Sequence, residues 1–342
     1  MISIRTLLFL QILALSILSA CGDDKIQDFS NQNDETFWKL TSFDSTLITV
    51  LAPHPAGSIF AANVGFDSGI FRSMDNGDNW NRLNAGLKDE YVRVLAIRQD
   101  GVILAATYNG QNSRFITSTD TGNTWSEKIL PKSLNIRDIA FNSSGHVFIA
   151  SVESDETSAG MFRSTDNGQN WTQINIPTIT ALDLEITPEG EIYAATSRGV
   201  FRSNDEGNSW LKLNEGLSDT IVLKLTTDID GTLYASTDQN GIFRSMDEGF
   251  TWTQTGLVKP CIEVLMSHPN GYLFAVVGFH AAIYGCIEPE GIYFSTDKGE
   301  TWEQLNEGLT DKKVASLAFS SDGYMFAGTT IGIFRSTKTT TQ

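Results

Sequence analysis

The octet Ser-x-Asp-x-Gly-x-x-Trp recurs six times in this chain, at 73–80, 118–125, 164–171, 203–210, 245–252 and 295–302. Successive copies lie 39 to 50 residues apart. A period of that size marks one supersecondary unit repeated along the chain, each copy burying its apolar face against the next. Every octet follows a short β-prone run, such as Gly69-Ile70-Phe71-Arg72 or Gly241-Ile242-Phe243-Arg244. Upstream of the latter lies another, Gly231-Thr232-Leu233-Tyr234-Ala235, and before it a third, Val222-Leu223-Lys224-Leu225. Four short strands per unit, separated by turn residues, is the pattern of propeller blades, and no stretch shows a helical period.

A seventh unit is split between the two ends of the repeat region. Residues 314–319, 324–328 and 332–336 repeat the first three strands, and the chain stops at Gln342. The missing fourth strand is supplied by Phe37-Trp38-Lys39-Leu40, which matches Asn79-Trp80-Asn81-Arg82-Leu83. All seven tryptophans then fill one role, one per blade, and the ring closes without a bare sheet edge. The expected architecture is all-β: a single seven-bladed propeller of four-stranded antiparallel blades over residues 36–342.

The octet resembles the Asp-box, or BNR repeat, of sialidases, sortilin-type receptors, xyloglucanases and Ycf48-like photosystem assembly factors. Chemistry gives it a structural reading. The six box aspartates, Asp75, Asp120, Asp166, Asp205, Asp247 and Asp297, are expected to accept hydrogen bonds from backbone amides one or two residues on. The glycine tolerates positive φ, and the tryptophan plugs the loop against the sheet. These residues are fold staples rather than ligand or calcium sites.

In a four-stranded meander, turns alternate between the two faces of the disc. Turns 54–57, 142–145 and 320–323 are short and alike and share a face with the Asp-boxes. Loops on the opposite face differ: minimal at 196–199 and 329–332, longer at 108–114 and 151–160, longest at 278–290. Variation confined to one face of a regular scaffold is where binding concentrates. Aligning blades on their turn glycines puts Thr49, Arg93, Arg137, Leu182, Leu223, Glu263 and Ala315 in a ring at the channel mouth on that face. The next ring is Val50, Val94, Asp138, Asp183, Lys224, Val264 and Ser316. Asp138, Asp183 and Lys224 read either as an internal ion-pair network or as polar ligand contacts, since buried charges need partners. Tyr108 and the long-loop residues Phe279, His280 and Tyr284 read either as binding anchors or as the loop's own core. Cys261 and Cys286 fall in the same unit, and in a secreted protein such a pair reads as a disulfide stapling that loop.

The N-terminus assigns the compartment. Arg5 precedes an apolar run over 7–20, too short to span a bilayer and shaped like a secretory signal peptide. It ends in Leu18-Ser19-Ala20-Cys21, which resembles a bacterial lipobox and implies cleavage before Cys21 and acylation of that residue. Residues 1–20 are thus expected to be removed, and 21–35, polar and acidic, to form a flexible tether. The expected location is the outer membrane, facing the periplasm or the cell surface, with the lipid as the only membrane contact. With 24 Lys+Arg against 41 Asp+Glu, the chain is a poor partner for nucleic acid.

The sialidase family needs an arginine triad, a tyrosine–glutamate nucleophile pair and a Phe/Tyr-Arg-Ile-Pro motif, and that motif is absent from the sequence. Arg72, Arg163, Arg202, Arg244 and Arg335 follow an aromatic residue in the third strand of the repeat and belong to the scaffold, leaving Arg93, Arg114, Arg137 and Arg198 to act. Xyloglucanase-like enzymes place their cleft between two tandem propellers. A carboxylate pair for glycoside hydrolysis would be drawn from Asp138, Asp183, Glu153, Asp155 and Glu263. The sequence therefore reads as a non-enzymatic, monomeric propeller without cofactor or metal, recognising an envelope protein or polysaccharide on its variable face. The competing reading is a glycan-active hydrolase of the xyloglucanase or sialidase type.

Overall fold

The computed structural model describes residues 36–340, apart from 45, 65–67, 84–90, 109–112, 131–133, 153–159, 179 and 279–287. These form seven four-stranded antiparallel sheets, with no helix among the described residues. Blades 1 to 6 are consecutive meanders over 47–82, 91–128, 135–174, 181–212, 222–254 and 262–304. Blade 7 joins the three strands of 314–339 to the N-terminal strand Trp38–Asp44. That strand pairs with Gly332–Thr339 in the register Trp38↔Ser336 and Leu40↔Phe334, so the ring closes as the split repeat implies.

The second strand of each blade is buried on both sides because another blade lies against each face. Ile59–Val64, Ile103–Tyr108 and Val147–Val152 accordingly read as nearly unbroken apolar runs. Alanines at their centres, such as Ala61 and Ala62 or Ala194 and Ala195, let adjacent sheets approach closely. The core is therefore a ring of layers between blades. One layer joins Phe60, Ile70 and Leu83 of blade 1 to Val92, Leu95 and Ile103 of blade 2.

The Asp-box turn differs from expectation in one respect. The aspartate does not bond amides one or two residues on; its Oδ1 accepts the backbone N–H four residues on, at 2.8 Å from Asn170 to Asp166 and 2.9 Å from Thr124 to Asp120. The serine hydroxyl takes the nearer donor, the glycine N–H, at 2.8 Å in Ser164–Gly168, and donates to the aspartate itself. Two successive residues then adopt positive φ: Asn167 at 58° and Gly168 at 80°. The left-handed pair lets two side chains bond the loop from inside it.

Nor do the seven tryptophans share one mode. Trp80, Trp171, Trp210 and Trp302 donate their indole N–H to the glycine carbonyl of their own box. Trp38, Trp125 and Trp252 instead reach the preceding blade, donating to Leu305, Leu83 and Leu213.

The third-strand arginines act as clasps. Arg72, Arg163, Arg244 and Arg335 each donate to the carbonyl of the positive-φ residue in the next blade's box: Thr121, Glu206, Lys298 and Asn76. Arg202 reaches the carboxylate of Glu248 in the equivalent place, at 2.9 Å. Blade 2 carries Thr117 at this position and blade 6 carries Phe294. The seam between blades 6 and 7 is held instead by residues near the chain ends. Trp38 donates its backbone N–H to Glu307, and the His268 ring lies 3.1 Å from the Thr340 hydroxyl.

Candidate functional site

Each of the seven innermost strands carries a β-bulge one or two residues after its start, for example between Ile136 and Asp138, or Val92 and Val94. The bulged residues are Thr49, Arg93, Arg137, Leu182, Leu223, Glu263 and Ala315, the ring expected at the mouth. A bulge puts two consecutive side chains on one face. That is why Arg137 and Asp138, or Leu223 and Lys224, both line the central cavity, whose volume is about 740 Å³. The side chain of Glu263 lies outside the described residues, as do Phe279, His280, Tyr284, Cys286 and Cys21. Cys261 is buried at φ +61°, where its N–H donates to Asp238 and its carbonyl accepts Gly278. The start of the blade 6 inner strand is thus tied to the root of the long loop.

The channel wall is divided by chemistry. Blades 6, 7, 1 and 2 present mainly aliphatic groups, among them Val264, Leu317, Val50 and Val94. Blades 3 to 5 present Asp138, Asp183, Glu185 and Lys224. Asp183 is buried, with Lys224 Nζ 2.5 Å from its Oδ1 and the Leu225 N–H donating to its Oδ2 at 2.9 Å. Asp138 accepts the Leu184 N–H at 3.0 Å, and Glu185 accepts the Thr227 N–H at 3.0 Å. Ser316 repeats the device with a hydroxyl, accepting the Leu51 N–H at 2.9 Å. Each of these side chains latches its blade to the backbone of the next. Burial, reinforced by the Asp183 carboxylate, raises the pKa of Asp138. Burial lifts Glu185 to about 7. Of the two readings of the Asp138–Asp183–Lys224 group, the bonds made are those of the internal network. Sequence reasoning missed Glu185, although strand alternation beyond the bulge places it two residues past Asp183 on the same face.

At the mouth, blades 2 and 3 form a separate cluster. Arg93 Nη1 donates to Asn135 across the seam. The Tyr91 and Tyr108 rings meet edge to face, with centroids 5.4 Å apart. Burial raises the Tyr91 pKa, and the positive fields of Arg93 and Arg137 oppose that rise. Two guanidinium groups and two tyrosines therefore share one lip of the channel, all half-buried. Tyr91 was not anticipated; as the partner opposite Tyr108 in the ladder, it was accessible from strand register alone. Arg114, read as available, is engaged by Glu127 at 2.6 Å. The box aspartates are all consumed within their own turns, and no group of potential metal ligands occurs among the described residues.

The family model for sortilin, neurotensin receptor 3 (Sortilin-Vps10) matches residues 68–182 and 198–330. The chain belongs to the Sortilin-Vps10 family. A second model, for the DUF6242 β-propeller domain, matches 135–260 of this sortilin-type propeller. No curated protein matches it in sequence. Among solved structures, a GH74 xyloglucanase from Xanthomonas campestris superposes with a TM-score of 0.67 at 16% identity, over 87% of this chain and 53% of the enzyme. The chain thus spans about half the length of that enzyme. Virginiamycin B lyase from Staphylococcus aureus gives 0.68 at 14% identity, over 88% of this chain and 99% of the lyase. YCF48 bound to D1 peptide gives 0.63 at 19% identity, over 91% of this chain and 98% of that one. At such identities the likeness is one of fold, and it spans enzymes and a peptide-binding protein alike.

Proposed function

We propose that this sortilin-type propeller is a non-enzymatic binding module that holds an acidic segment of a protein partner at the channel mouth. The observation that carries the reading is how the polar groups are divided. The acids of the channel wall that are placed for chemistry, Asp138, Asp183 and Glu185, are occupied as latches by backbone N–H groups of the next blade. The mouth presents Arg93, Arg137, Tyr91 and Tyr108, which suit carboxylate pairing and aromatic anchoring. The loops of variable length join the second and third strands of their blades, and a Cys261–Cys286 bridge would preorganise the longest of them. In the same proposal, residues 1–20 are a signal peptide, Cys21 carries the lipid, and 21–35 tether the propeller to the envelope.

The test is a peptide array of acidic and neutral segments probed with residues 22–342, alongside Arg93→Ala/Arg137→Ala and Tyr108→Ala. The arginine pair should weaken capture at least ten-fold, with melting temperature nearly unchanged. Glu189→Ala and Asp322→Ala, on the Asp-box face, should bind normally. Capture indifferent to the arginines would overturn the reading. Oligosaccharide cleavage abolished by Glu185→Gln would replace it with the hydrolase alternative.

A further inference from the structure

Blade 2 departs from its siblings at two facing positions. Blades 1, 3, 4, 5 and 7 have a clasp arginine in the third strand opposite an aromatic residue in the second, as in Arg72↔Phe60 and Arg163↔Phe148. Blade 2 has Thr117↔Leu104. The ring packed under the next box comes from Phe115 instead, set edge-on to Trp171 at 5.2 Å. Shortening both side chains leaves a surface cavity of about 330 Å³ between blades 2 and 3, where blades 1, 3, 4, 5 and 7 carry the clasp.

The lining is rich in donors. Lys128, half-buried, makes no side-chain ion pair or hydrogen bond among the described residues, although it lines the cavity. Arg98, from the neighbouring turn, donates to Asn167 Oδ1 at 2.7 Å. That fixes the amide so that its NH₂ is left as a donor. Gln169 and the Ser126 hydroxyl add polar contacts, Leu104 an apolar floor, and the lining contains no carboxylate. A half-buried cation without a counter-charge is unfavourable until an anion meets it. The volume sits at the lower end of the roughly 300–1,000 Å³ typical of small-molecule sites, enough for one ring.

The geometry points to a binding site for a single acidic sugar unit, a pyranose bearing one carboxylate, in the seam between blades 2 and 3 on the Asp-box side. The carboxylate pairs with Lys128 and the Asn167 amide. Ring hydroxyls meet Ser126 and Gln169, and a C–H face covers Leu104. This site is independent of the mouth on the opposite face.

Glucuronate serves as the probe, titrated into residues 22–342 by calorimetry, with glucose and acetate as comparators. Glucuronate should bind at least ten-fold tighter than either. Lys128→Met should weaken it at least ten-fold with unchanged melting temperature, and Arg93→Ala/Arg137→Ala should leave it intact. Thr117→Arg restores the clasp to Asn167 and should abolish binding without lowering the melting temperature. No detectable glucuronate binding, acetate binding as tight as glucuronate, or normal binding by Lys128→Met would each overturn the assignment.

Discussion

Replacing Trp38 by alanine should cost far more than the same change at Trp302, although the two occupy matching positions in the repeat. Trp38 is 1% exposed, its indole N–H donates to Leu305 at 2.6 Å, and its ring abuts Phe37 at 5.2 Å. Truncating a buried tryptophan costs about 3–5 kcal/mol, and the Leu305 carbonyl left without its donor adds about 1 kcal/mol. The sum, about 4–6 kcal/mol, is set against a residue that is partly exposed and bonds only the Gly299 carbonyl of its own box. For Trp302→Ala about 1–2 kcal/mol follows from partial burial. At roughly 2 °C per kcal/mol for a domain of this size, the melting temperature should fall by about 8–12 °C in one variant and about 2–4 °C in the other. Differential scanning calorimetry at pH 7 with a reversibility check reads both. Trp252→Ala should join Trp38→Ala, because it too is buried and donates across a seam, to Leu213. Equal losses at all three sites would refute the distinction between plugs that bridge blades and plugs that only close a turn.

Other outcomes follow from the channel and its seams. Burial raises Glu185 to about 7 from 4.5, so its contribution is intact below pH 4.5 and is lost as pH rises through about 7. Glu185→Gln should therefore raise stability at pH 8, on the order of 1–2 kcal/mol once water access is allowed for, and change little at pH 4; a loss at pH 8 in thermal melts would contradict the burial cost of the charged carboxylate. His268 has the opposite sign. Burial lowers its pKa, so stability present above 6.5 is lost as the pH falls through the folded value, and His268→Gln should flatten the acid limb of a Tm–pH curve. Deleting 36–41 removes Trp38 and bares an edge of the strand Gly332–Thr339, and it should convert monomer to aggregate in light scattering. Wild-type melting of that deletion would mean the N-terminal strand does not close the ring.

What the sequence disclosed was whatever repeats. The octets carry Ser, Asp, Gly and Trp at fixed spacing, so blade count, the split seventh blade and the clasp arginines could be read by alignment of the chain with itself. Counting back from the turn glycines even placed the channel rings apart from Glu263, including Arg93, Arg137 and Asp138. Non-repeating contacts were hidden. That Asp138 meets Leu184 N–H, or Arg93 meets Asn135, depends on the stagger between neighbouring blades, which no single strand encodes. The two modes of indole bonding were equally silent, since one conserved spacing supports both. Thr117 was visible as an interruption of the arginine series; only the paired loss of the aromatic at Leu104 turns that interruption into a cavity.

The closing pair has a consequence for how the molecule is made. Strand Trp38–Asp44 must wait for a partner, Gly332–Thr339, that lies nearly the whole chain away. Bringing such ends together carries a loop-closure cost of about 5 kcal/mol for a chain near 300 residues. While synthesis proceeds, six blades can stack on their neighbours, but the circle stays open until the last strand arrives. The vulnerable interval for proteolysis or mispairing therefore falls at the end of biogenesis rather than its beginning. Once the circle shuts, the strand pairing Trp38–Asp44 with Gly332–Thr339 must come apart before the ring can open, so kinetic stability is concentrated at that one closure.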